Sequence, residues 1–251
     1  MKPGAKVGLF VTCLVDLVRP QIGFASVKLL EAAGCTVNVP MAQTCCGQPA
    51  WNAGADKNAA AIARQVIDAF EPYDYVVVPS SSCAGMLKKY PDVLTHDADC
   101  LGRARALAQK THELVSFLAN IAGVSQVSAT CTARACYHDS CSSLREMRVK
   151  AEPRKLLATV EGFELHEIAD PEVCCGFGGL FSVKYPEISE RMADDKIADA
   201  EGTGAELLVG GDLGCLLHLT GRMKRQGKTM RARHVAEVLA DMSNEPALGE
   251  R

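Results

Sequence analysis

An α/β chain made of two pseudo-symmetric repeats, each a small parallel sheet with covering helices, is predicted by three observations. The triplet Cys-Cys-Gly occurs twice, at Cys45-Cys46-Gly47 and Cys174-Cys175-Gly176, near matching points of the two halves. Each triplet is flanked by single cysteines at closely similar distances, Cys13 and Cys83 around the first, Cys141 and Cys215 around the second. Short apolar runs also alternate with helical stretches in both halves, the pattern of strand–helix–strand units with parallel strands.

Each half reads in the same order: apolar strand, cysteine, helix, strand, Cys-Cys-Gly turn, helix, strand, cysteine, helix. The β-branched run 7–11 is the first strand, and 14–33 carries apolar residues at helical spacing up to Gly34, with Pro20 weakening its start. Cys35 opens the next strand. A helix over 56–70 leads to the strand 75–79, and the segment 97–120 reads as helix belonging to the first half. The small and polar residues of 121–130 form a linker, which sets the repeats at 1–125 and 126–251. In the second half, Lys155-Leu156-Leu157 lies over Lys28-Leu29-Leu30 with one residue of slippage. A helix over 188–200 precedes the apolar run 205–209, Asp212 caps a helix over 213–219, 234–242 closes the fold as a helix, and the tail 243–251 frays.

Of the 251 residues, 48% are hydrophobic and 23% charged, a composition that supports a core and argues against a disordered chain. The net charge of −3 gives no basic field for nucleic acid. No stretch approaches the ~20 apolar residues of a membrane span; the best, 207–219, is broken by Gly210, Gly211, Asp212 and His218. The amino-terminal apolar run is too short for an export signal. A reducing, cytoplasmic setting is therefore expected, in which the 12 cysteines are metal ligands or catalysts more readily than disulfides.

In parallel α/β units the loops at the carboxyl ends of the strands converge, and helix N-termini there favour thiolate. Cys13, Cys45, Cys46 and Cys83 can thus assemble one four-cysteine pocket, and Cys141, Cys174, Cys175 and Cys215 another. Sequence-adjacent thiolates bridge neighbouring irons more easily than they grip one ion, which favours a polynuclear cluster over a single zinc. Cys35 and Cys100 have no counterpart in the other half and read as small core hydrophobes, whereas Cys136, five positions ahead of Cys141, is a candidate extra ligand. His138 and Asp139 read equally as a proton-handling pair beside the second site or as packed strand-end residues. His218 reads as a satisfied helix-face histidine, and Trp51 as a shield over the first site. Gly176-Phe177-Gly178-Gly179 lacks the Lys-Ser/Thr of a phosphate loop. The basic run from Arg222 to Arg233 reads as a solvated face, with subunit docking as the alternative.

The doubled pattern Cys13…Cys45-Cys46-Gly47…Cys83 and Cys141…Cys174-Cys175-Gly176…Cys215 resembles the CCG, or cysteine-rich, domain. That domain occurs in the heterodisulfide reductase B subunit and in the iron–sulfur subunits of glycolate oxidase and anaerobic glycerol-3-phosphate dehydrogenase. Two repeats without an amino-terminal ferredoxin section are most similar to the LutA/YkgE (LldE) family, lactate utilization protein A. Phe10-Val11-Thr12-Cys13-Leu14-Val15-Asp16, Cys45-Cys46-Gly47-Gln48-Pro49-Ala50-Trp51-Asn52-Ala53-Gly54 and Tyr137-His138-Asp139-Ser140-Cys141 match it locally. The resemblance implies Rossmann-like repeats holding one or two [4Fe–4S] clusters on the eight repeated cysteines. It also implies an electron-transfer role in oxidising L-lactate to pyruvate, with LutB/LldF-like and LutC/LldG-like companion subunits.

The fuller family motif closes on Cys-x-x-Cys, but Ser80 and Asp212 stand at its first position here, so each site keeps four cysteines and a five-thiolate cluster is put in doubt. Asp212 is then either a weak oxygen ligand or the helix cap. Two other readings stay open: thiol- or cluster-based catalysis of heterodisulfide-reductase type, and a scaffold with zinc in both sites.

Overall fold

The computed structural model describes every residue except Pro3 and Arg251. It divides into two compact units, Met1–Gly123 and Val124–Arg251. In the first, β1 (Lys6–Leu9), β2 (Thr36–Asn38), β3 (Tyr75–Val78) and β4 (Thr111–Glu113) form a parallel sheet in the order β2-β1-β3-β4. In the second, β5 (Thr130–His138), β6 (Glu161–His166), β7 (Leu207–Gly210) and β8 (Arg231–His234) form a parallel sheet in the order β6-β5-β7-β8. The two units repeat one α/β topology.

The central strands are apolar runs because helices cover both faces: Val7, Leu9, Val76, Val77 and Val78 are fully buried, as is Val209 in the second unit. The helix Asp56–Phe70 shows how sequence sets this packing. Ala59, Ala63, Val66, Ile67 and Phe70 are its buried residues, spaced three, four and seven apart on one face. Phe70 meets the ring of Phe10 at 5.5 Å between centroids, behind the end of β1.

Both sheets reverse direction of growth beside their first strand. From β1 the chain goes outward to β2 and then crosses to β3, and from β5 to β6 and then β7. The loops leaving the carboxyl ends of such neighbouring strands part to opposite sides and leave a crevice, the usual ligand position of open parallel sheets.

Several expectations are corrected. The helix expected over 14–33 is two, Cys13–Val18 and Gln21–Ala32, because Pro20 sits at the break as the N-cap of the second. The segment 97–120 is not one helix: Ala98–Lys110, capped by Asp97, ends at β4, and Phe117–Ile121 is a wider π-type turn. The closing helix begins only at Val235, since His234 ends β8. Each unit thus has a fourth, edge strand of three or four residues, too short and too polar to break a helical reading. Among the described residues, no helix is long and apolar enough to cross a membrane.

Candidate metal centre

The cysteines of the first half come together at the carboxyl edge of its sheet. Cys13 is the first residue of the helix after β1, whose N-cap Thr12 accepts a hydrogen bond from Val15 N–H. Cys83 lies in the first turn of Ser81–Lys88, where Ser80 Oγ accepts from its N–H at 3.4 Å, so Ser80 serves as the cap the sequence suggests. Cys45 and Cys46 follow β2 in the loop between them. Four sulfurs then form a continuous run, with the Cys13 and Cys46 thiols donating to Cys45 and Cys46 also contacting Cys83.

The second half repeats the arrangement. Cys141 follows β5, Cys174 and Cys175 follow β6, and Cys215 lies in the first turn of Leu213–Arg225 after β7. Cys141 and Cys175 donate to Cys174, and Cys175 also contacts Cys215.

The glycine of each triplet has a geometric reason. Gly47 and Gly176 have φ of +83° and +86°, a region costly for residues with a Cβ. That turn brings the Gly47 N–H to 3.5 Å from Cys45 Sγ and the Gly176 N–H to 3.4 Å from Cys174 Sγ. Buried hydroxyls hold the triplet carbonyls behind them: Tyr90 donates to Cys46 O at 3.0 Å, and Ser189 to Gly176 O at 2.8 Å.

These contacts polarise the thiols. Donation from Cys13 and then Cys46, with backbone N–H groups, pulls Cys45 down to about 2 against the cost of burial. Donation from Cys141 and Cys175 does the same for Cys174, also to about 2. Their donors move the opposite way, Cys13, Cys46, Cys141 and Cys175 all being raised first by giving a hydrogen bond to that anion and then by burial. Such a cluster carries negative charge before the remaining protons leave, and a cation that displaces them relieves mutual repulsion.

Four soft sulfur donors per half suit iron or zinc and not calcium or magnesium. The number equals the Cys₄ set of a [4Fe–4S] cluster or a zinc site, so the residues fit either group.

The surroundings differ between the halves. At the first, Cys13 is exposed and a cavity of about 310 Å³ opens beside it, lined by Asp16, Leu17, Val39, Met41 and Cys45 among others. Trp51 is only half-buried in a helix, Gln48–Asn52, that buries none of its residues, so it is not the closed shield expected. At the second, Cys175 and Cys215 are buried. His138 is 1% exposed, and burial lowers it to about 4. One of its ring nitrogens and the sulfurs of Cys175 and Cys215 all lie within 4.8 Å of one another.

Asp139 has a different role from its neighbour. Arg154 donates to its two oxygens at 3.0 and 2.7 Å and to Glu167 at 2.7 and 2.8 Å, while its guanidinium stands 5.5 Å from the centre of the Tyr137 ring. A planar fork between two carboxylates fixes the segment entering Cys141. Asp139 is therefore a brace and not half of a proton pair. Sequence reasoning missed Arg154, which lies 15 positions from Asp139 on another element.

The remaining candidates fall outside the clusters. Cys136, near the end of β5, is engaged by Thr203 and lies by Asp199 and Lys196, and burial raises it to about 11. Cys35 and Cys100 are buried. Asp212 occupies the N-cap position expected but makes no capping bond; its carboxylate acts on Cys141 and Cys215. His218 faces Ser189 Oγ at 3.3 Å and the Phe177 ring. In the basic run, Arg222 pairs with Asp194 and Glu190, Lys228 with Glu201, and Arg233 is buried, donating to the Glu245 carbonyl.

Comparison with known proteins gives consistent findings. Residues 7–88 and 135–220 match the CCG family, the cysteine-rich domain. The chain is 50% identical to lactate utilization protein A of Geobacillus kaustophilus (strain HTA426) over 234 residues, which is 93% of this chain and 98% of the relative. It is 46% identical, over the same shares, to lactate utilization protein A of Bacillus subtilis (strain 168). A crystal structure of a hypothetical protein from Helicobacter pylori superposes with a TM-score of 0.66 at 8% identity, covering 98% of this chain and 50% of that one. That likeness concerns the fold alone.

Proposed function

The chain belongs to the cysteine-rich domain family and, within it, to the lactate utilization protein A group, and from this premise we propose that it is the iron–sulfur electron-transfer subunit of an L-lactate-oxidising complex. A role in lactate utilization follows from the family. The electron-transfer role rests on one observation above all: the chain assembles two clusters of four contacting thiols at corresponding sheet edges.

In this reading Cys13, Cys45, Cys46 and Cys83 hold one centre and Cys141, Cys174, Cys175 and Cys215 the other. A bound [4Fe–4S] cluster supplies one-electron chemistry at a potential set by charge, burial and hydrogen bonds to its sulfurs. The chain's own residues do the rest. Gly47 and Gly176 direct N–H groups at the sulfurs of Cys45 and Cys174, which stabilises negative charge there. Tyr90 and Ser189 fix the triplet backbones, so little reorganisation accompanies a change of charge. Lactate chemistry itself is assigned to the companion LutB/LldF-like and LutC/LldG-like subunits, with cytoplasmic thiol conditions keeping the ligands reduced.

Iron, acid-labile sulfide and zinc per chain, measured on anaerobically purified protein, test this. About eight irons and eight sulfides are expected, the sum for two four-iron centres. Stoichiometric zinc without sulfide, unchanged after anaerobic reconstitution with iron and sulfide, would overturn it.

A further inference from the structure

The two thiol clusters share a topology but differ in one buried side chain. Counting back from the first flanking cysteine of each half, His138 stands where Phe10 stands. Phe10 is fully buried and packs on Phe70, so that position in the first half is core. His138 is as deeply buried, yet neither ring nitrogen has a hydrogen-bond partner among the described residues. Leaving a buried polar group unpaired is costly, so a ring kept in such a place calls for a bonding partner. The sulfurs of Cys175 and Cys215 lie within 4.8 Å of a ring nitrogen, closely enough for all three atoms to share a metal ion.

We propose that His138 supplies a nitrogen ligand to the metal centre of the second half, making it a mixed imidazole–thiolate site while the first is all-thiolate. The inference rests on the reading that the thiol clusters hold metal. His138, Cys175 and Cys215 provide three of the second centre's donors. In a four-ligand centre the imidazole stands in place of one of the remaining two thiolates, Cys141 or Cys174, which removes one negative charge, and such substitution raises the potential of an iron–sulfur centre. The second half is then where an electron comes to rest, and the first, with Cys13 exposed, is the point of exchange.

The test is pulsed EPR on the full chain with ¹⁵N-labelled histidine, reconstituted anaerobically with iron and sulfide and partially reduced until the second centre is paramagnetic. Wild type, His138→Phe, His138→Asn and His218→Gln are compared. A strongly coupled histidine nitrogen is expected in wild type and in His218→Gln and is lost in both His138 variants. The asparagine variant serves if the larger ring disturbs folding. No histidine coupling on a reduced second centre, a coupling weak enough for a hydrogen bond alone, or a signal lost only in His218→Gln would each overturn the proposal. A chain that takes zinc but no iron removes the electron-transfer reading and leaves this one to zinc-edge X-ray absorption on the same proteins. There, nitrogen scattering present in wild type and absent from the His138 variants supports the ligand, and sulfur-only scattering in wild type overturns it. A chain that binds neither metal overturns both readings.

Discussion

Cys45 and Cys174 accept hydrogen bonds from a flanking thiol, from the adjacent triplet thiol and from a glycine N–H, contacts that lower both well below an ordinary thiol and favour the thiolate at neutral pH. The thiolate is the nucleophile, and a pKa lowered to about 2 keeps the fraction ionised constant through the neutral range. Iodoacetamide alkylation of Cys45 in metal-free protein is therefore expected to proceed at nearly the same rate at pH 5.5 and pH 8, followed by peptide mass spectrometry. An ordinary thiol slows about tenfold per pH unit below its pKa, and that behaviour at Cys45 would contradict the contacts described. At this scale the eight repeated cysteines were legible in the sequence because spacing alone pairs the halves. Which of the two readings of His138 holds was not, since its surroundings are set by Cys175, in the turn after β6, and Cys215, in the helix Leu213–Arg225. For Asp139 the packed strand-end reading is the one that holds, but its partner was not legible, because Arg154 reaches it from another element.

Among elements, the turns after β2 and β6 do most to shape the sites. Both need a left-handed glycine, but their surroundings differ. A Cβ on Gly47 meets the side chain of Ile62 at 3.3 Å, which can give way, whereas one on Gly176 meets the backbone oxygen of Ser189 at 2.6 Å. Each substitution to alanine carries about 1–2 kcal/mol for the left-handed backbone, and only the second adds a backbone clash. Gly176→Ala is expected to lose the iron of the second half, about half the total, while Gly47→Ala retains most of its own; iron analysis and thermal unfolding of the two variants check this. Equal losses would show that the clash is not what matters. The triplets and the long helix Asp56–Phe70 were legible because each has a strong local signature. The edge strands β4 and β8 were not, because Thr111-His112-Glu113 and Arg231-Ala232-Arg233-His234 carry no apolar alternation and exist only through pairing with β3 and β7.

On the scale of the whole chain, duplication supplies two thiol clusters, and small departures from the repeat make them unlike. The doubled topology was legible because the same strand–helix order is written twice; the differences were not, because how far Cys13 or Cys215 is exposed arises from packing. Phe10 against His138, exposed Cys13 against half-buried Cys141, and Ser80 capping its helix by a hydrogen bond against Asp212 at an N-cap position without that capping bond all separate the halves. Both clusters keep partly exposed thiols, Cys45 and Cys83 beside exposed Cys13 in the first and Cys141 and Cys174 in the second, while Cys46, Cys175 and Cys215 are buried. The most direct measurement is anaerobic addition of L-lactate to this chain mixed with the companion subunits proposed for it, read by EPR as the difference between wild type and a Cys45→Ser/Cys174→Ser double variant. The account predicts that lactate elicits in wild type the signal that dithionite elicits in this chain alone, and that the double variant lacks it. Conversion of lactate to pyruvate at an undiminished rate by the double variant, with no lactate-dependent signal from the wild-type chain, would contradict it.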